Sequence, residues 1–269
     1  MTTSGYPLFS IANLVDIFVN RNFGLPKKVN KDVKIFVFQH FPVRLPECFE
    51  NRAIYIPIHG GNAPSDGAMS DISEPSISKY NVYLNEMTQI YWIGKHYQEL
   101  GNPEYIGFAH YRRCLEWSAE LLLPNRLFAS KYISLMSNRE LFIDCHGADW
   151  LNRFLNEFRK VFSDFEYGDV DEYWDTRTLY IANNLITDRT TFMRYFEFIE
   201  RCIGICIRLL QDNLSIFELL DRSRRRQFSF ILERMTSYWI WHEKRRKDIK
   251  VICSRLRCYD IDNGLTAVR

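Results

Sequence analysis

The chain has 269 residues, 46% of them hydrophobic and 25% charged, with a formal net charge of +2. That length supports one large buried core, and so small a net charge excludes whole-chain electrostatic binding to nucleic acid. No apolar run approaches the ~18 residues that a spanning helix needs, and no basic segment followed by an apolar one opens the sequence as a secretory leader would.

In chain order, residues 1–30 read as an N-terminal extension: Ile11 to Val19 is apolar at helical spacing until Gly24-Leu25-Pro26 breaks the pattern. The remainder, 31–269, reads as one α/β domain. Val33 to Phe38 is a strand of β-branched and aromatic residues, and Ala53 to Ile58 a second, with Pro57 placing it near an edge. From His59 to Ser78 the composition turns to Gly, Asn, Asp, Ser and Pro. A polar loop of that length, placed after a strand, suits ligand binding, and His59-Gly60-Gly61 either admits a ligand to the backbone or forms a plain turn. Leu84 to Glu99 has helical periodicity, and Tyr105 to Phe108 is a short apolar strand. The order strand, loop, helix, strand implies parallel pairing. Further on, Arg126 to Ser137 contains a short strand, Asp149 to Val161 a helix and Thr178 to Ile186 a strand. Thr190 to Leu210 and Gln227 to His242 are apolar helices.

The chemistry concentrates where the Tyr105 strand ends, in His110-Tyr111-Arg112-Arg113. Guanidinium forks match phosphate oxygens and are costly to bury unpaired, and open α/β sheets bind ligands beyond the carboxyl ends of their strands. A nucleoside diphosphate is the anion expected there. His40, at the end of the first strand, is a candidate nucleotide contact. Asn81 and Glu86 flank the start of the next helix, where they can hold ribose or sugar hydroxyls, although Glu86 equally suits first-turn dipole stabilisation. Asn183 and Asn184 interrupt a strand and read as sugar contacts or as a bulge. Between Arg222 and Arg257, Lys and Arg far outnumber the acids, which fits either an anionic membrane surface or solvated helix faces. The aromatic content of 15% fits either stacking surfaces for sugars or an aromatic core. Cys48, Cys114, Cys145, Cys202, Cys206, Cys253 and Cys258 form no CxxC pair and show no zinc-ligand spacing, as expected of a cytoplasmic protein.

Five segments together, SISKYNVYLNEMTQIYWIGKH (76–96), EYIGFAHYRR (104–113), DCHGADW (144–150), LYIANNLITDRTTFMRYFEFI (179–199) and FSFILERMTSYWIW (228–241), resemble a family. It is the uncharacterised-domain glycosyltransferases of capsular and exopolysaccharide clusters, some of them galactofuranosyltransferases. The resemblance implies a single GT-A-like glycosyltransferase domain with a mainly parallel sheet flanked by helices. It implies inverting transfer of galactofuranose or another hexose from a UDP-sugar to a saccharide or lipid-linked saccharide acceptor, in capsule, exopolysaccharide or O-antigen synthesis. Such enzymes ordinarily place an Asp-x-Asp metal site after the strand where this chain has HYRR. His110, Tyr111, Arg112 and Arg113 can meet the diphosphate charge directly, so transfer is expected to be metal-independent or only weakly assisted by a divalent metal, with no other cofactor. Asp169-Val170-Asp171 and Asp260-Ile261-Asp262 match the Asp-x-Asp string but follow no convincing buried strand. For the base that deprotonates the acceptor, Asp149 is the first candidate and Glu233 the second, set against helix capping and an ion pair respectively. His146 and Trp150, beside Asp149, are expected to hold the acceptor sugar. The other readings are a sugar-nucleotide hydrolase or phosphotransferase using the same anion site, and a non-catalytic polyanion or membrane module. A peripheral position at the inner membrane face is compatible with any of them.

Overall fold

The structure, a computed structural model, describes residues 14–15, 20–26, 28–41, 43–61 and 69–259. Its strands are β1 (Leu14–Val15), β2 (Val33–Gln39), β3 (Tyr55–His59), β4 (Tyr105–His110), β5 (Arg113–Leu115), β6 (Arg126–Ser134), β7 (Thr178–Asp188), β8 (Lys250–Cys253) and β9 (Leu256–Cys258). They form a single nine-stranded sheet whose main path is β1-β6-β7-β4-β2-β3. β8 adds to β6, and β5 bridges β4 and β9. From the pairings, β2, β3, β4, β6, β8 and β9 run one way and β1, β5 and β7 the other. The sheet is therefore mixed but mostly of one direction, with a parallel half (β3-β2-β4) and an antiparallel seam at β7.

The alternation of β2 explains how two cores arise. Phe36 and Phe38 enter the larger cluster with Ile106 and Phe108 of β4, while Val33, Ile35 and Val37 enter the smaller one with Tyr105 and Ala109. A period of two sends successive side chains to opposite faces, and burying each large apolar side chain contributes ~1.5–3 kcal/mol. The helices are α1 (Asn81–Leu84), α2 (Glu86–Lys95), α3 (Asn138–His146), α4 (Asp149–Val161), α5 (Asp164–Tyr167), α6 (Val170–Asp175), α7 (Arg189–Gln211), α8 (Leu214–Leu219), α9 (Arg222–Arg225) and α10 (Gln227–Arg246). Residues from α2, α4, α7 and α10 fill the larger core. In α4, Leu151, Phe154, Leu155 and Phe158 are the buried stripe, at the spacing of one helix face. α7 starts at Asp188, whose carboxylate accepts the Thr191 amide (3.1 Å) and hydroxyl (2.7 Å) as an N-cap.

Several expectations change. The helix expected over 84–99 starts earlier and is broken at Asn85, which sits at φ 47°, ψ −127° between α1 and α2. The short strand expected after Arg126 has nine residues. Asn183 has φ 50°, and the register of β7 against β6 shifts around it, so this pair forms a bulge. Helical spacing at Ile11 to Val19 fails at Leu14 and Val15, which pair with Ser134 and Ile133; the rest of that segment, and Asp260-Ile261-Asp262, lie outside the described residues. Residues 20–24 run along the sheet: Arg21 bridges Ser254, and the Phe23 and Gly24 amides donate to Glu116 (3.0 and 3.1 Å).

Candidate functional site

β2, β3 and β4 are parallel and end together, which puts His40, His59 and His110 at one edge of the sheet. The positive φ at Asn85 lets α2 begin beside that edge, with Glu86 as its first residue. Glu86 Oε1 lies 3.4 Å from His40 Nε2 and 3.6 Å from His110 Nε2. Burial opposes the Glu86 charge, but the His40 contact and its charge hold the carboxyl far below the usual carboxylate range. His110 is also shifted down, which here favours the neutral ring: its burial, with Arg113 and Arg112 nearby, keeps it well below the ordinary histidine value. His110 Nδ1 accepts the Arg112 amide (3.2 Å). His40, Glu86 and His110 form a group that could hold a metal, each offering a ligand atom within 4.8 Å of the others.

A polar latch holds this edge to the helix. Asp71, buried in the loop after β3, accepts from Gly61 N (2.8 Å) and from Thr88 Oγ1 (2.5 Å). Burial raises the Asp71 carboxyl above its ordinary value, and these hydrogen bonds only partly offset that. Asn81 Nδ2 donates to Thr88 Oγ1 (2.8 Å), and Gln89 Nε2 donates to the Ile58 carbonyl (2.7 Å). A Cβ on Gly60 would fall 2.5 Å from Asn81 Nδ2. The close approach that glycine allows at Gly60 is therefore to the protein's own amides, and Asn81 serves the latch. Asp71, Thr88 and Gln89 escape sequence reasoning because each is an ordinary loop or helix residue until the loop folds back.

HYRR divides. His110 is buried, although a histidine beside two arginines at a strand end is not expected in the core, and so is Tyr111, which packs on His110 (ring centroids 4.2 Å apart) and Phe41. A neutral imidazole and a phenol stacked together are far cheaper to bury than a charge. Arg112 and Arg113 stay half-buried, Arg112 over the Tyr111 ring and Arg113 in β5.

A second place lies at the start of α4. Cys145, His146, Gly147, Ala148, Asp149, Trp150, Ile216, Leu220, Arg224 and Gln227 line a cavity of about 470 Å³. His146 stacks on Phe230 (4.2 Å, 15°), and burial with Arg234 nearby lowers its pKa to about 4. Trp150 lies against Phe217 and under the Arg153 guanidinium (4.9 Å). Asp149 is the first residue of α4, following Ala148. The cavity thus gathers the acceptor candidates His146 and Trp150 with Asp149, whereas Glu233 on α10, half-buried near Tyr173, and Asn183 and Asn184 in the β7 bulge are not in its lining. Asn85 Nδ2 donates to Ser229 Oγ (2.8 Å), two residues beyond Gln227. A hydrogen bond therefore ties the helix break beside the strand-end cluster to α10, whose first residue, Gln227, lines the cavity.

The literal Asp-x-Asp string at 169–171 is spent internally. Asp169 accepts from His242 Nδ1 (2.9 Å) and Tyr238 OH (2.7 Å), and Asp171 pairs with Arg139 and Arg159. Much of the basic run is also paired or buried: Arg234 is buried, Arg257 meets Glu116, Arg245 meets Glu172 and Arg246 meets Asp248. Among the described residues no helix is long and apolar enough to cross a membrane.

The fold is similar to the apo structure of WbbM, a bifunctional glycosyltransferase, with TM-score 0.65 at 20% identity. The match covers 84% of this chain and 45% of that one, so the chain spans less than half of WbbM. No curated protein is similar enough in sequence to match. A family model described as a domain of unknown function, DUF4422, matches residues 34–245. Since that span contains the strand-end cluster, the latch and the cavity together, the chain belongs to the DUF4422 family.

Proposed function

We propose that the protein is a glycosyltransferase that moves a hexose, galactofuranose being one candidate, from a UDP-sugar to a saccharide or lipid-linked saccharide acceptor. The observation that carries this reading is the meeting of His40, Glu86 and His110, with Arg112 and Arg113 following directly, at the carboxyl ends of adjacent parallel strands. That is where an α/β sheet takes a nucleotide. The fold it shares with WbbM supports the reaction class. Arg112 and Arg113 outweigh the one carboxylate, Glu86, and give a net positive rim suited to a diphosphate.

In an inverting displacement the acceptor oxygen attacks the anomeric carbon of the donor. Its proton passes to a base, the bond from that carbon to the diphosphate oxygen breaks, and the electron pair leaves with the nucleoside diphosphate. Arg112 and Arg113 are assigned to the charge that develops on the leaving group. Asp149 is assigned the proton, because it shares a cavity with Trp150 and His146, an aromatic pair suited to a sugar face. Polysaccharide assembly on the cytoplasmic side of the membrane is the setting this chemistry fits, and the hydrolase and polyanion-module readings make different predictions.

Calorimetry with UDP and GDP on wild type and Arg112→Ala tests the donor half. UDP-selective binding that weakens at least tenfold in the variant supports transfer, since a charge-assisted contact is worth ~1.5–3 kcal/mol. Binding of neither nucleotide defeats it. For the acceptor half, Asp149→Asn is expected to lower turnover about 10²–10⁴-fold with UDP affinity unchanged. Undiminished turnover in that variant moves the base elsewhere.

A further inference from the structure

The contacts around Glu86 are poor as hydrogen bonds. At 3.4 and 3.6 Å from the two Nε2 atoms, they are longer than the ~2.7–3.2 Å such bonds adopt. They are, however, the separations that two ligands must have when each lies ~2.1 Å from one tetrahedral ion. Both contacts use the same oxygen, Oε1, and all three ligand atoms lie within 4.8 Å of one another. The ligands come from three rigid places: the end of β2, the end of β4 and the first residue of α2. Backbone strain is spent to put the third one there, since Asn85 holds a positive φ immediately before Glu86.

We propose that His40, Glu86 and His110 bind one divalent transition-metal ion of the zinc or cobalt type. Two imidazoles and one carboxylate are a borderline-soft donor set that suits such ions better than Mg²⁺ or Ca²⁺, which favour oxygen ligands. Among the described residues the group has three members. Three protein ligands leave a coordination position for water or a donor oxygen, as in catalytic zinc sites.

The ion also bears on Arg112. His110 Nδ1 accepts the Arg112 amide, but a neutral imidazole bound to metal through Nε2 carries its proton on Nδ1. Two donors would then face each other, so metal binding must turn that peptide and shift Arg112. The site goes beyond the transfer reading and does not depend on it. It also departs from the expectation, based on the arginine pair, that no cation is needed: the ion organises the cluster, and the arginines remain available to the diphosphate.

The test is titration of the full chain with Co²⁺ alone, followed by visible absorption, and equilibrium dialysis against Zn²⁺. One ion per chain is expected, with intense d–d bands of low coordination number and no thiolate charge-transfer band. Glu86→Gln and the half-buried His40→Ala are each expected to weaken binding by at least on the order of 10-fold while melting cooperatively. Absence of stoichiometric binding overturns the proposal. So do affinities in both variants unchanged from wild type and a thiolate band, which would place the ion on one of the seven free cysteines. UDP calorimetry with EDTA on the same samples separates the two readings: lost metal binding with intact UDP binding removes the ion alone, and lost UDP binding with intact metal binding removes the transfer reading alone.

Discussion

Asn85 does two jobs that pull in opposite directions. Its backbone adopts φ 47°, a region costly for any residue with a Cβ, and its side chain donates to Ser229 across to α10. Replacing it with glycine relaxes the first and loses the second; replacing it with alanine loses the second and keeps the strain. Urea unfolding should therefore rank wild type above Asn85→Gly, and that above Asn85→Ala by about 1 kcal/mol. Equal stability of the two variants would show that the backbone carries no strain. The same residue shows the limit of sequence reading. Glu86 stands out in the sequence as a helix-start acid, and it is one. That it meets His40, 46 residues away, and His110 is a matter of strand register, which no local pattern contains. HYRR was legible as a cluster, but its division into a buried aromatic half and a half-exposed cationic half is a matter of packing, with Tyr111 set against His110 and Phe41.

Between elements, α2 and α7 pack through a single missing side chain. A Cβ on Gly94 would fall 2.2 Å from Cε2 of the buried Phe196. Alanine is a better helix former by ~1 kcal/mol, yet here it must displace an aromatic ring or push the helices apart, which costs ~1–3 kcal/mol or more. Gly94→Ala should thus lower the melting temperature by several degrees, read by circular dichroism. A rise would mean that Phe196 can rotate away freely. Long elements with one dominant period were legible: α4 has the limits read from its apolar spacing, and β2, β7, α7 and α10 lie close to theirs. The α1–α2 break and the length of β6 were not, because a positive-φ asparagine and the pairing of β6 to β7 and β8 are decided by partners distant in sequence.

For the molecule as a whole, acid stability reflects the cavity. His146 binds its proton in the folded state only near pH 4, against about 6.5 when unfolded. The unfolded chain therefore takes up the proton first, and stability falls as pH drops from about 6.5 towards 4. His146→Gln removes that titration, so its loss of melting temperature between pH 7 and pH 5 should be smaller than that of wild type. An equal loss would show that the ring is already solvated. The charge balance also bears on the membrane reading: ion pairs take up several arginines of the basic run.

Glu116 is buried at the point where two distant stretches meet. It accepts the amides of Phe23 and Gly24 and the Arg257 guanidinium, and its carbonyl accepts from Ser254 Oγ. β8 and β9, residues 250–258, supply the pairing partners of β6 and β5. During synthesis, then, β5 and one side of β6 remain open edges, and the Glu116 carboxylate lacks its Arg257 partner, until residue 258 has left the ribosome. At ~5–20 residues per second, the 143 positions after β5 keep those edges waiting for roughly 7–30 seconds. The protein is committed to finishing its sheet late, and chaperone dependence is the cellular cost to look for.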